Sequence, residues 1–132
     1  MSLQPALPDE LKRLVGWGAE PRRLALLPAL REAAGVTEEM SLPAAGYQVR
    51  HYLETQIGLI AEPVEFQGRT IQPETMRRVF RLLLQIEGRG LSAVNRRYRV
   101  ITLLGVYHSL ETWRRPTGPE RELCEYLARL MQ

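Results

Sequence analysis

The residues of this chain best equipped for chemistry are its arginines. Of 18 basic residues only Lys12 is lysine. Arginine carries a rigid planar donor fork that suits phosphate and carboxylate, which lysine lacks. A genome or habitat that favours arginine would give the same ratio. From Arg77 to Arg115 the chain holds Arg77, Arg78, Arg81, Arg89, Arg96, Arg97, Arg99, Arg114 and Arg115 against only Glu87 and Glu111, a net of +7. On a whole-chain balance of +3, the remainder therefore carries −4. Such a separation is the electrostatic footprint of a polyanion-binding face. The same count also arises when arginines point several ways and pair with acids from distant segments. Arg77 and Arg81 share a helix face at i, i+4, as do Arg96 and Arg99 at i, i+3.

Other chemistries are thinly supplied. His51 and His108 are the only histidines and Cys124 the only cysteine. No zinc set of four nitrogen and sulfur ligands can be drawn from them, and no intrachain disulfide can form, which fits a reducing cytoplasm. Cys124 follows Leu123 on an apolar helix stripe, where a buried inert thiol is expected rather than a nucleophile. The glycines read as caps and turns, with no phosphate-loop pattern. The expectation is a non-enzymatic protein without metal or cofactor.

From Arg96 the chain reads Arg-Arg-Tyr-Arg-Val-Ile-Thr-Leu-Leu-Gly-Val and, after Tyr107, continues through Ser109 to Thr112-Trp113-Arg114-Arg115. Leu103-Leu104-Gly105-Val106 resembles the end of the first helix and the turn of a helix-turn-helix. Thr112–Arg115 is similar to the body of a recognition helix. The resemblance covers some twenty residues. It implies that Ser109, Glu111, Thr112 and Arg115 face base edges, with Arg96, Arg97 and Arg99 near backbone phosphates; Arg114 is a further candidate nucleic-acid-binding residue. Two features depart from the pattern: the turn is about two residues too long, and Pro116 stops the second helix early.

The elements that must position these residues are helical nearly throughout. Leu7, Leu11, Leu14 and Val15 mark a first helix, ending near Gly16-Trp17-Gly18, and residues 1–7 are expected to be a flexible lead-in to it. Pro21 starts a second helix through Leu24, Leu27 and Leu30, with Gly35 as its cap and Pro28 predicting a kink or two shorter pieces. Residues 37–40 form a linker. Ser41 is an N-cap candidate for a third helix, striped by Leu42, Ala45, Val49, Leu53, Ile57 and Ile60 and ended by Pro63. Residues 64–71 alternate around Gln67-Gly68 and predict a small hairpin.

Pro73 then opens a helix to about Glu87, apolar on most sides and expected at the centre of the core. Ser92 caps a helix to Gly105, with Val94, Tyr98, Ile101 and Leu104 as its apolar residues. Ser109 caps a short one. Thr117-Gly118-Pro119-Glu120 has capping-box spacing ahead of a last helix carrying Leu123, Leu127, Leu130 and Met131. Trp17 and Trp113 are both expected in the core.

At 132 residues and 45% hydrophobic the composition is that of one folded domain, residues 1–132. The expected fold is a mostly α helical bundle of about six or seven helices with a small hairpin. Neither the opening residues nor Leu82-Leu83-Leu84 resembles a signal peptide or membrane span, so a cytoplasmic protein is expected. Two functions fit. One is a nucleic-acid-associated regulator that reaches phosphates through its arginines. The other is a protein-interaction module whose arginines meet an acidic protein surface, including a second copy of the chain in a homo-oligomer.

Overall fold

Proline, serine and glycine punctuate the chain where its helices begin and end. The computed structural model describes residues 6–106 and 108–131. Among these are eight helices: α1 (Ala6–Trp17), α2 (Pro21–Leu24), α3 (Pro28–Ala33), α4 (Leu42–Gly58), α5 (Pro73–Leu83), α6 (Ala93–Leu104), α7 (Leu110–Trp113) and α8 (Pro119–Leu130). Five of them carry proline at the first or second helical position, where no amide is needed. Ser41, Ser92 and Ser109 cap α4, α6 and α7 through their side-chain oxygens, as their positions predict. Pro28 does split the second helix, into α2 and α3.

The hairpin pairs β1 (Val64–Phe66) with β2 (Arg69–Ile71) antiparallel, in the register Val64 to Ile71 and Phe66 to Arg69. Gln67 and Gly68 both have positive φ, at 50° and 76°, as a tight two-residue turn between twisted strands demands. Phe66 and Ile71 point into the core, which gives this small sheet its support. Phe66 meets Trp113 edge to face with ring centroids 6.3 Å apart.

The result is a compact helical bundle with one hairpin. α1 lies against α8 and α3, α2 against α4, and α5 against α6 and α4. The core runs from Leu11 and Leu14 through Leu53, Met76, Phe80 and Leu83 to Leu123 and Leu127. Ala6 and Leu7 belong to α1 rather than to a flexible lead-in, and Leu7 is buried; positions 1–5 fall outside the described residues. No described helix is long and apolar enough to cross a membrane.

Several elements depart from the sequence reading. The helix from Pro73 ends at Leu83, not Glu87. Gln85 takes φ 64° there, and the Ile86 amide reaches back to Arg81 O at 2.7 Å, closing the end as a glycine commonly would. The capping box at Thr117 does not form: Gly118 is the N-cap without a side-chain bond, and Glu120 turns inward. Trp17 is exposed at the edge of the α1 stripe, with the Arg13 guanidinium 5.8 Å above its ring. Leu42, first of the α4 stripe, and Leu130 on α8 are exposed as well.

The largest departure is in α6. Val94 and Tyr98 lie on the outside, together with Thr102 at the same i, i+4 spacing. The buried face is Arg96, Val100, Ile101 and Leu104. An arginine occupies the place expected of an apolar side chain.

Candidate nucleic-acid interface

Arg96 is only 2% exposed. Its guanidinium donates to Leu83 O at 2.7 Å, more weakly to Leu82 O at 3.5 Å, and to Val15 O at 2.9 Å. These carbonyls lie in the last turns of α5 and α1, where a helix leaves its acceptors without intrahelical donors. A cation there also meets the negative ends of both helix dipoles. Burial lowers the Arg96 pKa from the usual arginine value; the charge of Arg97 adds to this and Glu120 opposes it. Arg96 ties two helix ends together, and this burial corrects the expectation that it faces phosphate.

Arg97 turns to the other side and finds Glu120, which is fully buried. Arg97 Nε donates to Glu120 Oε1 at 2.7 Å and Nη2 to Oε2 at 3.2 Å, a bidentate pair. Trp113 Nε1 donates to Glu120 Oε1 at 3.1 Å, and Lys12 Nζ also reaches Oε2. One carboxylate thus gathers α1, α6, α7 and α8. Arg97 is committed to this internal pair and leaves little of its side chain at the surface.

Ser109 caps α7, with Oγ accepting from Thr112 N at 3.1 Å and its hydroxyl hydrogen directed to Thr112 Oγ1 at 3.0 Å. Glu111 is exposed and Thr112 half-buried. α7 is a single turn of four residues, about 6 Å long, and Trp113 fills the core. Arg114 and Arg115 lie beyond its last helical residue and are exposed. Gly105 does supply the left-handed turn at φ 67° that the helix-turn-helix resemblance requires. The next helix, α7, falls short of recognition length, because Trp113 is drawn inward and Pro116 stops the chain.

Of the expected set, Arg99, Arg114 and Arg115 remain at the surface, with Ser109, Glu111 and Thr112 beside the last two. Arg99 does not stand alone. A groove of about 320 Å³ between α5 and α6 is lined by Arg78, Leu82, Tyr98, Arg99, Thr102 and Leu103. A second, of about 400 Å³, is lined by Arg69, Ile101, Thr102, Gly105, Val106 and His108. Thr102 belongs to both, so the grooves adjoin. His108 also borders a third cleft that holds Thr112 and Arg115, where Glu122 and Glu125 add negative charge.

The first two grooves bring together Arg69, Arg78 and Arg99, and among the described residues no carboxylate lines either. Arg78 has Glu87 at 3.7 Å, both well exposed, an arrangement that solvent weakens. Arg69 comes from outside the basic segment. Its guanidinium lies against Gly105, where a β-carbon would stand 3.3 Å from Nη1. No local signal in the sequence connects the hairpin to the end of α6, so this partner is visible only in three dimensions.

Among the described residues no group of three or more histidine, cysteine or acidic side chains could hold a metal ion. Burial pushes the Cys124 thiol up to about 12, with the negative charge of Glu120 adding to it, so at neutral pH it is a protonated thiol in the core. Compared with protein-family models, curated proteins and solved structures, the chain matches none of them.

Proposed function

We propose that this chain is a nucleic-acid-associated regulator that acts by occupying its ligand and carries out no reaction on it. The observation behind this reading is the pair of adjoining grooves lined by Arg69, Arg78 and Arg99 and, among the described residues, by no carboxylate. Arg115, in the cleft beyond His108, adds a further exposed guanidinium, although Glu122 and Glu125 share that cleft. Each arginine that meets a phosphate releases condensed counterions, so affinity comes largely from charge and falls with salt. The mode differs from helix insertion in a major groove, since α7 is too short to serve as the reading element. A mobility-shift titration with single-stranded and duplex DNA tests it. Retardation is expected at about 50 mM salt and loss of it near 200 mM, with weaker binding after Arg99→Ala or Arg115→Ala. Absence of any shift in dilute buffer, or binding indifferent to salt, would remove the reading.

A second reading, a protein-interaction module, is favoured by Leu42 and Tyr47, which are 58% and 65% exposed. With Pro43, Arg89 and the Arg22–Glu20 ion pair they frame a cleft of about 580 Å³ beside α2, a surface suited to an apolar partner. Light scattering tests its self-associating form, in which the partner is a second copy. A monomer at all concentrations would exclude that form.

A further inference from the structure

The groove between α5 and α6 is more than a patch of charge. Tyr98 is half exposed, at 51%, although it lies in the middle of a helix with a full core behind it. Arg99 adjoins it in sequence, and Arg78 stands on the far side of the same groove. Leu82 and Leu103 add apolar side chains to its lining. Val94, one turn before Tyr98, is exposed in the same row, and Thr102, one turn after, donates its hydroxyl to Tyr98 O at 3.0 Å. The result is an aromatic ring and an aliphatic strip set between guanidinium groups.

We infer that this groove takes a single strand of nucleic acid, with a base laid on Tyr98 and its flanking phosphates held by Arg78, Arg99 and Arg69. The inference rests on the nucleic-acid reading above and specifies its substrate class. A duplex turns its phosphates outward and keeps its base faces stacked, so it would leave the exposed ring of Tyr98 without a partner. An unpaired base has a free π face, and stacking on an aromatic side chain tolerates any sequence. The acidic side chains of a peptide match the arginines but offer no aromatic face to the tyrosine, whereas every nucleotide carries both a phosphate and a base. Arginine next to a stacked base contributes through its own planar face as well as its charge.

The test uses fluorescence anisotropy of a labelled oligothymidine of about twelve nucleotides, with a duplex of equal length and polyglutamate as competitors. The wild-type chain is expected to bind the single strand tightest. Tyr98→Ala should weaken that binding about tenfold and leave the duplex little changed. Tyr98→Phe should stay within about twofold of wild type, because the ring and not the hydroxyl carries the stack. Arg99→Ala should weaken both nucleic acids. Duplex binding that depends on Arg99 while Tyr98→Ala changes nothing would overturn the single-strand inference and leave the broader reading standing. Equal competition by polyglutamate at matched charge would overturn it in favour of an acidic protein partner. No binding to any of the three polyanions would defeat both.

Discussion

Arg96 and Val15, 81 positions apart in the chain, are joined by a guanidinium-to-carbonyl hydrogen bond of 2.9 Å inside the protein. The same side chain also satisfies Leu83 O, so one arginine closes the ends of α1 and α5. The most deeply buried arginine of the basic segment therefore holds the fold together, and the binding role passes to arginines that the fold leaves outside.

Arg96→Ala removes donors from buried carbonyls and opens a void in the core. Each buried acceptor left unsatisfied costs about 1–3 kcal/mol, so the expected loss of stability is about 3 kcal/mol or more. Urea denaturation followed by circular dichroism measures it. Arg99→Ala, an exposed change on the same helix, should fall within about 0.5 kcal/mol of wild type. Similar effects from both substitutions would contradict the assignment.

The pair between Arg97 and Glu120 should be strongly coupled. Glu120 is fully buried and bidentate with Arg97, while Trp113 and Lys12 share its oxygens. Glu120→Gln, Arg97→Met and the double variant form a thermodynamic cycle. A coupling of about 2 kcal/mol or more is expected, against the 0.2–1 kcal/mol typical of exposed pairs. A value in that lower range would show that the network adds little.

Gly46 reverses the usual helix rule. Alanine inside a helix is normally about 1 kcal/mol better than glycine. Here a β-carbon would overlap the backbone oxygen of Pro21, because α2 crosses α4 at that point. Gly46→Ala should therefore destabilise by more than about 1 kcal/mol, whereas Gly58→Ala at the end of the same helix meets nothing within 4 Å and should be neutral or stabilising. Paired thermal melts decide between them, and a stabilised Gly46→Ala protein would contradict the close crossing.

Cys124 makes stability depend on alkaline pH. Its thiol is pushed from 9.0 up to about 12 by burial, so the unfolded chain ionises first as pH rises. The stabilising contribution is fully present below about pH 9 and is lost between about 9 and 12, at up to about 1.4 kcal/mol per pH unit. Comparison with Cys124→Ala cancels the tyrosines, which titrate in both proteins. The stability difference between wild type and variant should shift against wild type across that window; a constant difference would show that the thiol is not buried as described.

Most helix starts and the hairpin turn were open to reading because their causes are local, whereas the end of α5 at Leu83 is set by the positive φ of Gln85, which its residue type does not announce. Ser41, Ser92 and Ser109 cap the helices they precede, Pro28 splits one, and Gln67-Gly68 makes the turn. The destinations of the arginines depend on distant partners. Arg96 and Arg99 sit on the same helix, yet one meets Val15 and Leu83 while the other meets solvent. One signal was present: Arg96 shares the i, i+4, i+8 row of Val100 and Leu104, and that row is the buried face. Nothing local could bring Arg69 of the hairpin to Gly105, or Glu10 to the amides of Ala29 and Leu30 at 2.9 and 2.8 Å, where it caps α3.

The central claim is that Arg69, Arg78 and Arg99 contact phosphates, and the salt dependence of binding tests it most directly. The logarithm of the association constant for oligothymidine, plotted against the logarithm of salt concentration, should fall linearly for the wild-type chain. Its slope should become shallower by about 0.7 for each of Arg69→Ala and Arg99→Ala. A slope near zero, or one that neither substitution alters, would contradict the account.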